Sequence, residues 1–274
     1  MSPTLILVGG GKMGGAMLSG WLDQGMDAAA MTVVEPHPDI ASSLARRHGI
    51  TVVEAPEAID ADVRPDVVVF AVKPQVVGAV VPGYTRFLGT GSMFLSIAAG
   101  KTIVTFEQAL GGDAAVVRAM PNTPAAVRRG ITVACANSRT TAKQRALCSR
   151  LLEAVGAIAW VEDEALMDPV TAVSGSGPAY VFLLVECLTA AGVNAGLPAD
   201  LAERLARLTV TGAGELLHRS EDHAEVLRRN VTSPGGTTAA ALEVLMGPRG
   251  LEPLMTAAVE AARKRSRELA EQAP

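Results

Sequence analysis

The sequence predicts two consecutive parts of different fold class, an α/β domain followed by an all-helical domain. In the first part, short runs rich in valine and isoleucine alternate with helix-like or loop segments, which is typical of a mostly parallel sheet covered by helices. After residue 163 no run reads as a strand, and apolar residues recur at helical spacing instead. We therefore predict domains over residues 1–163 and 164–274.

The individual elements follow from these patterns in chain order. Strands are predicted over residues 4–8, 31–34, 51–53, 67–72, 93–97, 116–119, 130–136 and 157–161, with a helix over residues 141–154 between the last two. In the second domain, residues 178–197 form the most apolar stretch. Glu186 and Asn194 interrupt it, so we expect a buried helix rather than a membrane span. The charged residues 263–271 are predicted to be a solvated helix end.

A glycine-rich loop, GGGKMG at residues 9–14, follows the first strand and opens a helix. Gly9 permits the tight turn, Gly11 lets a pyrophosphate approach the backbone, and Gly14 lets the helix lie close to the sheet. Glu35 ends the second strand 21 residues beyond Gly14, a spacing that suits an acceptor for an adenosine ribose. A solvated strand end is the alternative for Glu35. The first domain is thus predicted to be a Rossmann-type dinucleotide-binding domain.

Two further segments follow predicted strands and should lie at the same edge of the sheet. Residues 71–75, AVKPQ, include Lys73, which could reach a phosphate or orient a nicotinamide. Residues 120–124, MPNTP, hold Asn122 in a loop made rigid by two prolines. For Lys73, an ordinary exposed lysine fixed by the following proline is an equally good interpretation, and for residues 120–124 a structural turn is.

In the second domain, the segment NVTSPGGTT at residues 230–238 separates two helix-like stretches. The paired glycines let the backbone approach a ligand, and the hydroxyl residues add to the free N–H groups at a helix start. The residues concerned are Ser233, Gly235, Gly236, Thr237 and Thr238. This pattern predicts a site for a carboxylate, with a plain capped helix start as the alternative.

Composition narrows the class of protein. A net charge of −4 and few aromatic residues argue against a nucleic-acid partner. The three cysteines are far apart in apolar surroundings, so they are expected to be reduced, buried thiols. The four histidines lack metal-ligand spacing, so no metal is expected. The amino terminus has no charged region typical of a signal peptide, and we expect a cytoplasmic protein without a membrane association.

Five motifs occur in one order along nearly the whole chain: Gly-x-Gly-x-Met-Gly, Ala-Val-Lys-Pro-Gln, Arg-Ala-Met-Pro-Asn-Thr-Pro, Ser-Gly-Ser-Gly-Pro-Ala-Tyr and Ser-Pro-Gly-Gly-Thr-Thr. In this combination the chain resembles the pyrroline-5-carboxylate reductase family. The resemblance implies an NAD(P)H-dependent oxidoreductase that reduces the cyclic imine of 1-pyrroline-5-carboxylate to L-proline, the last step of proline biosynthesis. The last two motifs are the specific ones.

The resemblance also implies roles for individual residues. Ser233, Gly236 and Thr237 would bind the substrate carboxylate, and the Thr238 hydroxyl would lie at the ring nitrogen. Glu221 would support this network, with an exposed helix-start carboxylate as the alternative. On the cofactor side, the resemblance places Gly11, Lys12 and Met13 along the pyrophosphate. It places Ala71, Lys73 and Pro74, with Val72 between them, beside the ribose and nicotinamide. Ala98, Ala99 and Asn122 would lie nearby.

Two other functions remain open at this stage. A hydroxyacid or 6-phosphogluconate-type dehydrogenase would use a lysine on a second-domain helix, and no lysine lies between Lys143 and Lys264. A non-catalytic NAD(P)H-sensing module would not need the hydroxyl residues of the 230–238 segment.

Assembly and cofactor preference complete the expectations. The apolar surface of the helical domain predicts a homodimer with interleaved helices, and the resemblance adds a decamer of five dimers. Because the Glu35 carboxylate would repel a 2′-phosphate, NADH should be used at least as well as NADPH.

Overall fold

The computed structural model describes residues 2–271, which contain eight strands and eleven α-helices. The strands are β1 (Leu5–Val8), β2 (Met31–Val34), β3 (Thr51–Val53), β4 (Val67–Phe70), β5 (Met93–Ser96), β6 (Ala115–Met120), β7 (Gly130–Ala136) and β8 (Gly156–Trp160). The α-helices are α1 (Lys12–Asp23), α2 (Pro38–His48), α3 (Val77–Val80), α4 (Ile103–Leu110), α5 (Ala142–Glu153), α6 (Met167–Val170), α7 (Gly177–Asn194), α8 (Ala199–Arg219), α9 (Ala224–Asn230), α10 (Thr237–Leu245) and α11 (Leu251–Glu271).

The described residues form two compact units. The first unit runs to Gly175 and includes the chain again from Arg263, whereas the second unit spans Ser176–Ala262. The first unit is α/β and the second is helical throughout, as the sequence predicts. The end of α11 therefore belongs to the α/β unit.

The first unit is built on one eight-stranded sheet with the strand order β3-β2-β1-β4-β5-β6-β7-β8. The first six strands run parallel, whereas β7 pairs antiparallel with β6, and β8 runs parallel to β7. The order of the six parallel strands is that of the doubly wound dinucleotide-binding fold, in which the direction of winding reverses between β1 and β4. The prediction of a mostly parallel, helix-covered sheet is confirmed.

Two hydrophobic cores cover the two faces of this sheet. On β1, Leu5 and Leu7 contribute to one core, with Trp21 of α1, whereas Ile6 and Val8 contribute to the other. Because successive strand side chains point to opposite faces, a strand between two helical layers is apolar at every position. This explains why the central strands read as unbroken apolar runs in the sequence.

The second unit leaves most of its apolar surface exposed in a single chain. Helices α7 and α8 pack closely, and a Cβ on Gly192 would lie 3.2 Å from the Ala202 Cβ. In contrast, α7 has no buried residue, and Phe182 is 62% exposed. The predicted burial of this stretch is therefore not achieved within a single chain, where the apolar side chains of α7 are exposed or only half-buried.

Two smaller expectations are also corrected. Ser266 in α11 is 5% exposed, and its hydroxyl donates to Asp168 Oδ1 at 2.7 Å, so one face of this helix end is packed, whereas the Arg265 and Arg267 side chains remain exposed. Cys135 and Cys148 are buried free thiols, as predicted, but Cys187 on α7 is exposed. Burial raises the pKa of the Cys148 thiol to about 12, so this thiol stays protonated at neutral pH.

Candidate active site

The glycine loop between β1 and α1 is shaped by close backbone packing. Gly9 has φ +97°, and a Cβ there would lie 2.7 Å from the Ala71 carbonyl oxygen at the end of β4. A Cβ on Gly14 would overlap the Gly9 carbonyl oxygen. A Cβ on Gly11, in contrast, would meet no atom within 4 Å. Gly9 and Gly14 thus set the shape of the loop, and Gly11 leaves its outer side open to a ligand.

The Glu35 carboxylate lies at the carboxyl end of β2, beside this loop. Glu35 is 5% exposed. Its Oε2 accepts from the Gly10 N–H at 2.8 Å, and its Oε1 accepts from the His37 N–H at 3.0 Å. The carboxylate is therefore fixed in one orientation, and each oxygen retains a lone pair for a further donor. Glu35 is not a solvated strand end.

A cavity of about 740 Å³, here named the sheet-edge cavity, opens at the carboxyl ends of β1, β2 and β4. Six predicted cofactor residues line it: Gly9, Gly11, Glu35, Ala71, Val72 and Lys73. Its lining also includes Glu54, Glu57, Val76, Val80 and Tyr84, which the sequence reasoning missed. Glu54 directly follows β3, so its position after a strand was an available signal, whereas nothing in the sequence pointed to Tyr84.

The other predicted cofactor residues are not part of the lining of this cavity. Lys12 lines a second cavity, of about 700 Å³, whose lining also includes residues of α1 and α2. Met13 packs against the core, and Ala98 is buried in the turn after β5. The Asn122 Oδ1 accepts from the Ile131 N–H at 2.9 Å and so holds the loop after β6 to the start of β7.

The remaining two cofactor predictions, Pro74 and Ala99, are placed by chain connection alone. Pro74 begins a short 3-10 segment after β4, and Ala99 is exposed after β5. Because β1, β4, β5 and β6 are parallel neighbours, the loops that follow them share one edge of the sheet. The structure therefore places all these residues at that edge, although only some of them line the sheet-edge cavity.

This edge fits a dinucleotide. The N-terminus of α1 has no side-chain cap, so the N–H groups of its first turn are available to an anion beside the open side of Gly11. The sheet-edge cavity adds a fixed carboxylate near one end and the Lys73 ammonium on its lining, between apolar walls. These groups match a pyrophosphate and a ribose in chemistry.

In the second unit, the predicted carboxylate segment lies between α9 and α10. Gly236 occupies the N-cap position of α10 without a side-chain cap, and Gly235 has φ +68°. The interpretation of a plain capped helix start is therefore wrong, because neither Ser233 nor a threonine bonds to the N–H groups of the first turn. These N–H groups remain free to bind an anion.

Two hydroxyl residues open α10, and one of them is half-buried. Thr237 is exposed, whereas Thr238 is partly shielded, and within the described residues its hydroxyl makes no hydrogen bond. Thr232, just before, shows the ordinary alternative: its hydroxyl donates to the Arg228 carbonyl at 2.6 Å. Glu221 is exposed between α8 and α9, and within the described part of the chain its carboxylate forms no hydrogen bond or ion pair.

The strand order, the glycine loop and the fixed carboxylate at the end of β2 define a dinucleotide-dependent oxidoreductase with a separate helical unit. Residues 4–100 match the family model described as NADP oxidoreductase, coenzyme F420-dependent. Residues 164–269 match the model described as pyrroline-5-carboxylate reductase dimerisation.

Relatives that align with the full length of the chain agree with the match to the dimerisation model. Pyrroline-5-carboxylate reductase from Pseudomonas aeruginosa is 42% identical over 271 residues, which cover 99% of this chain and 98% of the relative. The enzyme of that name from Mycobacterium tuberculosis is 40% identical, with 97% and 96% covered. The chain belongs to the pyrroline-5-carboxylate reductase family.

Solved structures support the same assignment. A pyrroline-5-carboxylate reductase from Coxiella burnetii superposes with a TM-score of 0.92 at 35% identity and covers 98% of this chain and 99% of its own. The pyrroline carboxylate reductase of Plasmodium falciparum, with NADP bound, gives a TM-score of 0.80 at 29% identity, with 98% of each chain covered.

Proposed function

We propose that this protein reduces 1-pyrroline-5-carboxylate to L-proline with NAD(P)H, the last step of proline biosynthesis. The observation that carries the proposal is the uncapped start of α10, beside the unbonded Thr238 hydroxyl, in a chain of this family. An anion site next to a single hydroxyl suits a small cyclic substrate that has one carboxylate and one ring nitrogen.

The first unit binds the cofactor, which supplies a hydride from its nicotinamide when bound. The N–H groups of Lys12 and Met13 at the start of α1 bind the pyrophosphate, and Gly11 keeps the approach open. The Glu35 carboxylate accepts from the adenosine ribose. Residues 71–74 and the loops that carry Ala98, Ala99 and Asn122 lie toward the nicotinamide end, where they orient the ring.

The second unit binds the substrate. The backbone at Gly236 and Thr237 and the Ser233 hydroxyl hold its carboxylate at the positive end of α10. The Thr238 hydroxyl forms a hydrogen bond with the ring nitrogen, and Glu221 supports this network. Reduction of a C=N bond is aided by a proton on nitrogen, so the protein's part is to orient the imine and keep a hydrogen-bond partner at that atom.

Two other functions are less consistent with the chain. A hydroxyacid or 6-phosphogluconate-type dehydrogenase needs a lysine acid/base, which the helices between Lys143 and Lys264 lack. A sensing module has no use for an unbonded hydroxyl at an anion site. Steady-state oxidation of NADH and NADPH by the purified protein with 1-pyrroline-5-carboxylate tests all three functions. Absence of turnover with this substrate would refute the proposal.

We further propose that the substrate-binding and dimerisation domain begins near residue 164, after a cofactor domain of residues 1–163. The match to the dimerisation model starts at residue 164, which supports this boundary. The compact first unit nevertheless continues to Gly175, so residues 164–175 connect the sheet to the helical unit. Residues 272–274 of the predicted second domain lie outside the described residues.

A second copy of the chain is the proposed cover for the apolar helices. The stretch Glu164–Asn194 is long and apolar enough to cross a membrane by length and composition alone. Because the dimerisation model includes this stretch, we assign its exposed side chains, such as Phe182 and Leu183, to an interleaved homodimer in the cytoplasm rather than to lipid. Five such dimers would form the decamer.

Light scattering at micromolar concentration is expected to give a dimer or a multiple of it, without detergent. Phe182→Glu is expected to shift the population toward the monomer, because the dimer would then bury an unpaired carboxylate at a position that is exposed in the single chain. The exposed Glu203→Gln change on α8 serves as a control. A wild-type monomer with full activity would contradict the proposed assembly.

We propose that the protein uses NADH at least as well as NADPH. The Glu35 carboxylate is fixed at the ribose end, and Glu54 and Glu57 line the same cavity. Two unit charges about 4 Å apart repel by roughly 4 kcal/mol at an effective dielectric constant of 20, before screening by salt. A 2′-phosphate is therefore disfavoured, whereas a free 2′-hydroxyl gains a charge-assisted hydrogen bond.

Glu35→Ser is accordingly expected to raise kcat/KM for NADPH relative to NADH by roughly tenfold. A tenfold change corresponds to about 1.4 kcal/mol, the part of the repulsion that we expect to remain after screening by salt. Because Glu35 also holds the Gly10 N–H, Glu35→Gln should be compared, as it removes the charge and retains most of the volume. Strong preference of the wild type for NADPH, unchanged in both variants, would show that Glu35 does not face the ribose.

A further inference from the structure

One oxygen of the Glu164 carboxylate joins three segments of the first unit that are distant in the sequence. Glu164 begins the 3-10 segment Glu164–Leu166, which follows β8. Its Oε1 accepts from the Ile103 N–H at 2.9 Å and from Arg118 Nη1 at 2.9 Å. The two donors lie 61 and 46 positions earlier in the chain. The carboxylate therefore fixes the start of α4 relative to a residue of β6.

The Arg118–Glu164 ion pair is shielded from water on the side of the arginine. The Arg118 side chain is 6% exposed, and that of Glu164 is 27% exposed. Among the described residues, Glu164 is the only ion-pair partner of Arg118. A shielded charge that loses its partner is strongly unfavourable, so the guanidinium holds the carboxylate in place. The nearby Glu162 carboxylate, which pairs with Arg145, is 82% exposed and lacks this constraint.

The two donors to Glu164 adjoin loops at the carboxyl edge of the sheet. Ile103 begins α4 shortly after the turn that carries Ala98 and Ala99. Arg118 lies near the end of β6, and the loop with Asn122 follows this strand. These are the loops assigned above to the nicotinamide end of the cofactor. One carboxylate therefore links the two loops on which the orientation of that ring depends.

The other contacts of these loops are more local. The Ala98 N–H donates to Ser96 Oγ at 3.2 Å within the turn after β5, and Asn122 bonds to the start of β7. Neither contact joins one loop to the other. Glu164 does not belong to the lining of the sheet-edge cavity. Its effect on a bound cofactor is therefore exerted through the loops and not by direct contact.

We propose that Glu164 is a positioning residue for hydride transfer, whose carboxylate holds the loops after β5 and β6 in the relative position that orients the nicotinamide against the imine. This inference rests on the proposed function, which assigns these loops to the nicotinamide. The ADP-ribose part of the cofactor lies at β1 and β2, which β4 separates from β5 and β6 in the sheet. Binding of ADP-ribose is therefore independent of Glu164.

Glu164→Ala removes both hydrogen bonds and is the first test. Because a small misplacement of reacting groups costs up to about 10²-fold in rate, kcat at saturating NADH and 1-pyrroline-5-carboxylate is expected to fall by about 10- to 100-fold. The dissociation constant of ADP-ribose, measured by calorimetry, is expected to stay the same. Glu164→Gln retains a carbonyl oxygen for the Ile103 N–H and should have an intermediate kcat.

Glu162→Gln is the matched control, since it neutralises an exposed carboxylate two positions away. It should change neither kcat nor ADP-ribose affinity. A wild-type kcat in Glu164→Ala would overturn the proposal, and so would a loss of ADP-ribose affinity as large as the loss of kcat, because the carboxylate would then support the whole domain.

A double variant separates positioning from stability. Arg118→Met combined with Glu164→Met removes both charges and keeps apolar volume in their place, so its melting temperature is expected to exceed that of Glu164→Ala. Its kcat is expected to stay low, because the Ile103 N–H still lacks its acceptor. Recovery of the wild-type kcat together with the melting temperature would leave Glu164 a structural role alone and refute the inference.

The fluorescence of bound NADH reports the surroundings of the nicotinamide without substrate. It is expected to change in Glu164→Ala and to stay the same in Glu162→Gln. If the wild type binds NADH but does not turn over 1-pyrroline-5-carboxylate, the proposed function is wrong, and the fluorescence still tests the role of Glu164. If the wild type turns over and Glu164→Ala matches it in kcat and fluorescence, the role of Glu164 is refuted while the function stands.

Discussion

Gly14→Ala is expected to abolish cofactor binding and to lower the free energy of unfolding by roughly 1–3 kcal/mol or more, the cost of overpacking a close contact. A Cβ on Gly14 would overlap the Gly9 carbonyl oxygen and would lie 3.2 Å from the Ala71 Cβ. Neither backbone can retreat, because Gly9 in turn packs against the carbonyl at the end of β4. The loop that binds the pyrophosphate must therefore change shape.

Gly15→Ala provides the matched control one position further along α1. A Cβ there would meet only the Gly10 carbonyl oxygen, at an ordinary distance of 3.6 Å. Since alanine is favoured over glycine in a helix interior by up to about 1 kcal/mol, this variant should be as stable as the wild type or more so. Urea unfolding and titration with NADH measure both effects. Gly14→Ala that binds NADH with wild-type affinity would show that the loop tolerates the change.

Thr238→Ala is expected to reduce kcat/KM for 1-pyrroline-5-carboxylate by roughly 10- to 150-fold, with little change in stability. A hydrogen bond to a charged group contributes about 1.5–3 kcal/mol, and the hydroxyl makes no bond within the described part of the chain that folding would lose. The expected loss is therefore in the reaction and not in the fold.

Thr238→Ser retains the hydroxyl and should restore most of the activity. Thr256→Ala on α11 removes a hydroxyl that bonds to the Glu252 carbonyl of its own helix, and it should leave kinetics unchanged. Initial rates at saturating cofactor, with circular dichroism to verify folding, distinguish these variants. Wild-type turnover in a well-folded Thr238→Ala protein would exclude Thr238 as the partner of the ring nitrogen.

Local sequence patterns were sufficient to predict the sheet and the glycine loop. An unbroken apolar run such as Leu5–Val8 can be satisfied only between two helical layers, and the Gly9, Gly11 and Gly14 spacing limits the turn that follows it. The all-helical character of the second domain also follows from local spacing. These predictions hold because each depends on residues close together in the chain.

Contacts between distant segments could not be predicted in the same way. Glu35 and Gly10 are 25 positions apart, and only the pairing of β1 with β2 brings the carboxylate to the loop N–H. Likewise, the apolar composition of α7 predicts burial, and only the tertiary structure shows that α7 has no buried residue in a single chain.

The sequence by itself therefore determined the fold class, the cofactor class and the family, since these depend on local patterns and ordered motifs. Only the tertiary structure decided which residues share the sheet-edge cavity, that α10 begins without a cap and that one Glu164 oxygen bonds to both Ile103 and Arg118. Burial and hydrogen-bond partnership are properties of atoms brought together by folding, and no single segment of the chain contains them.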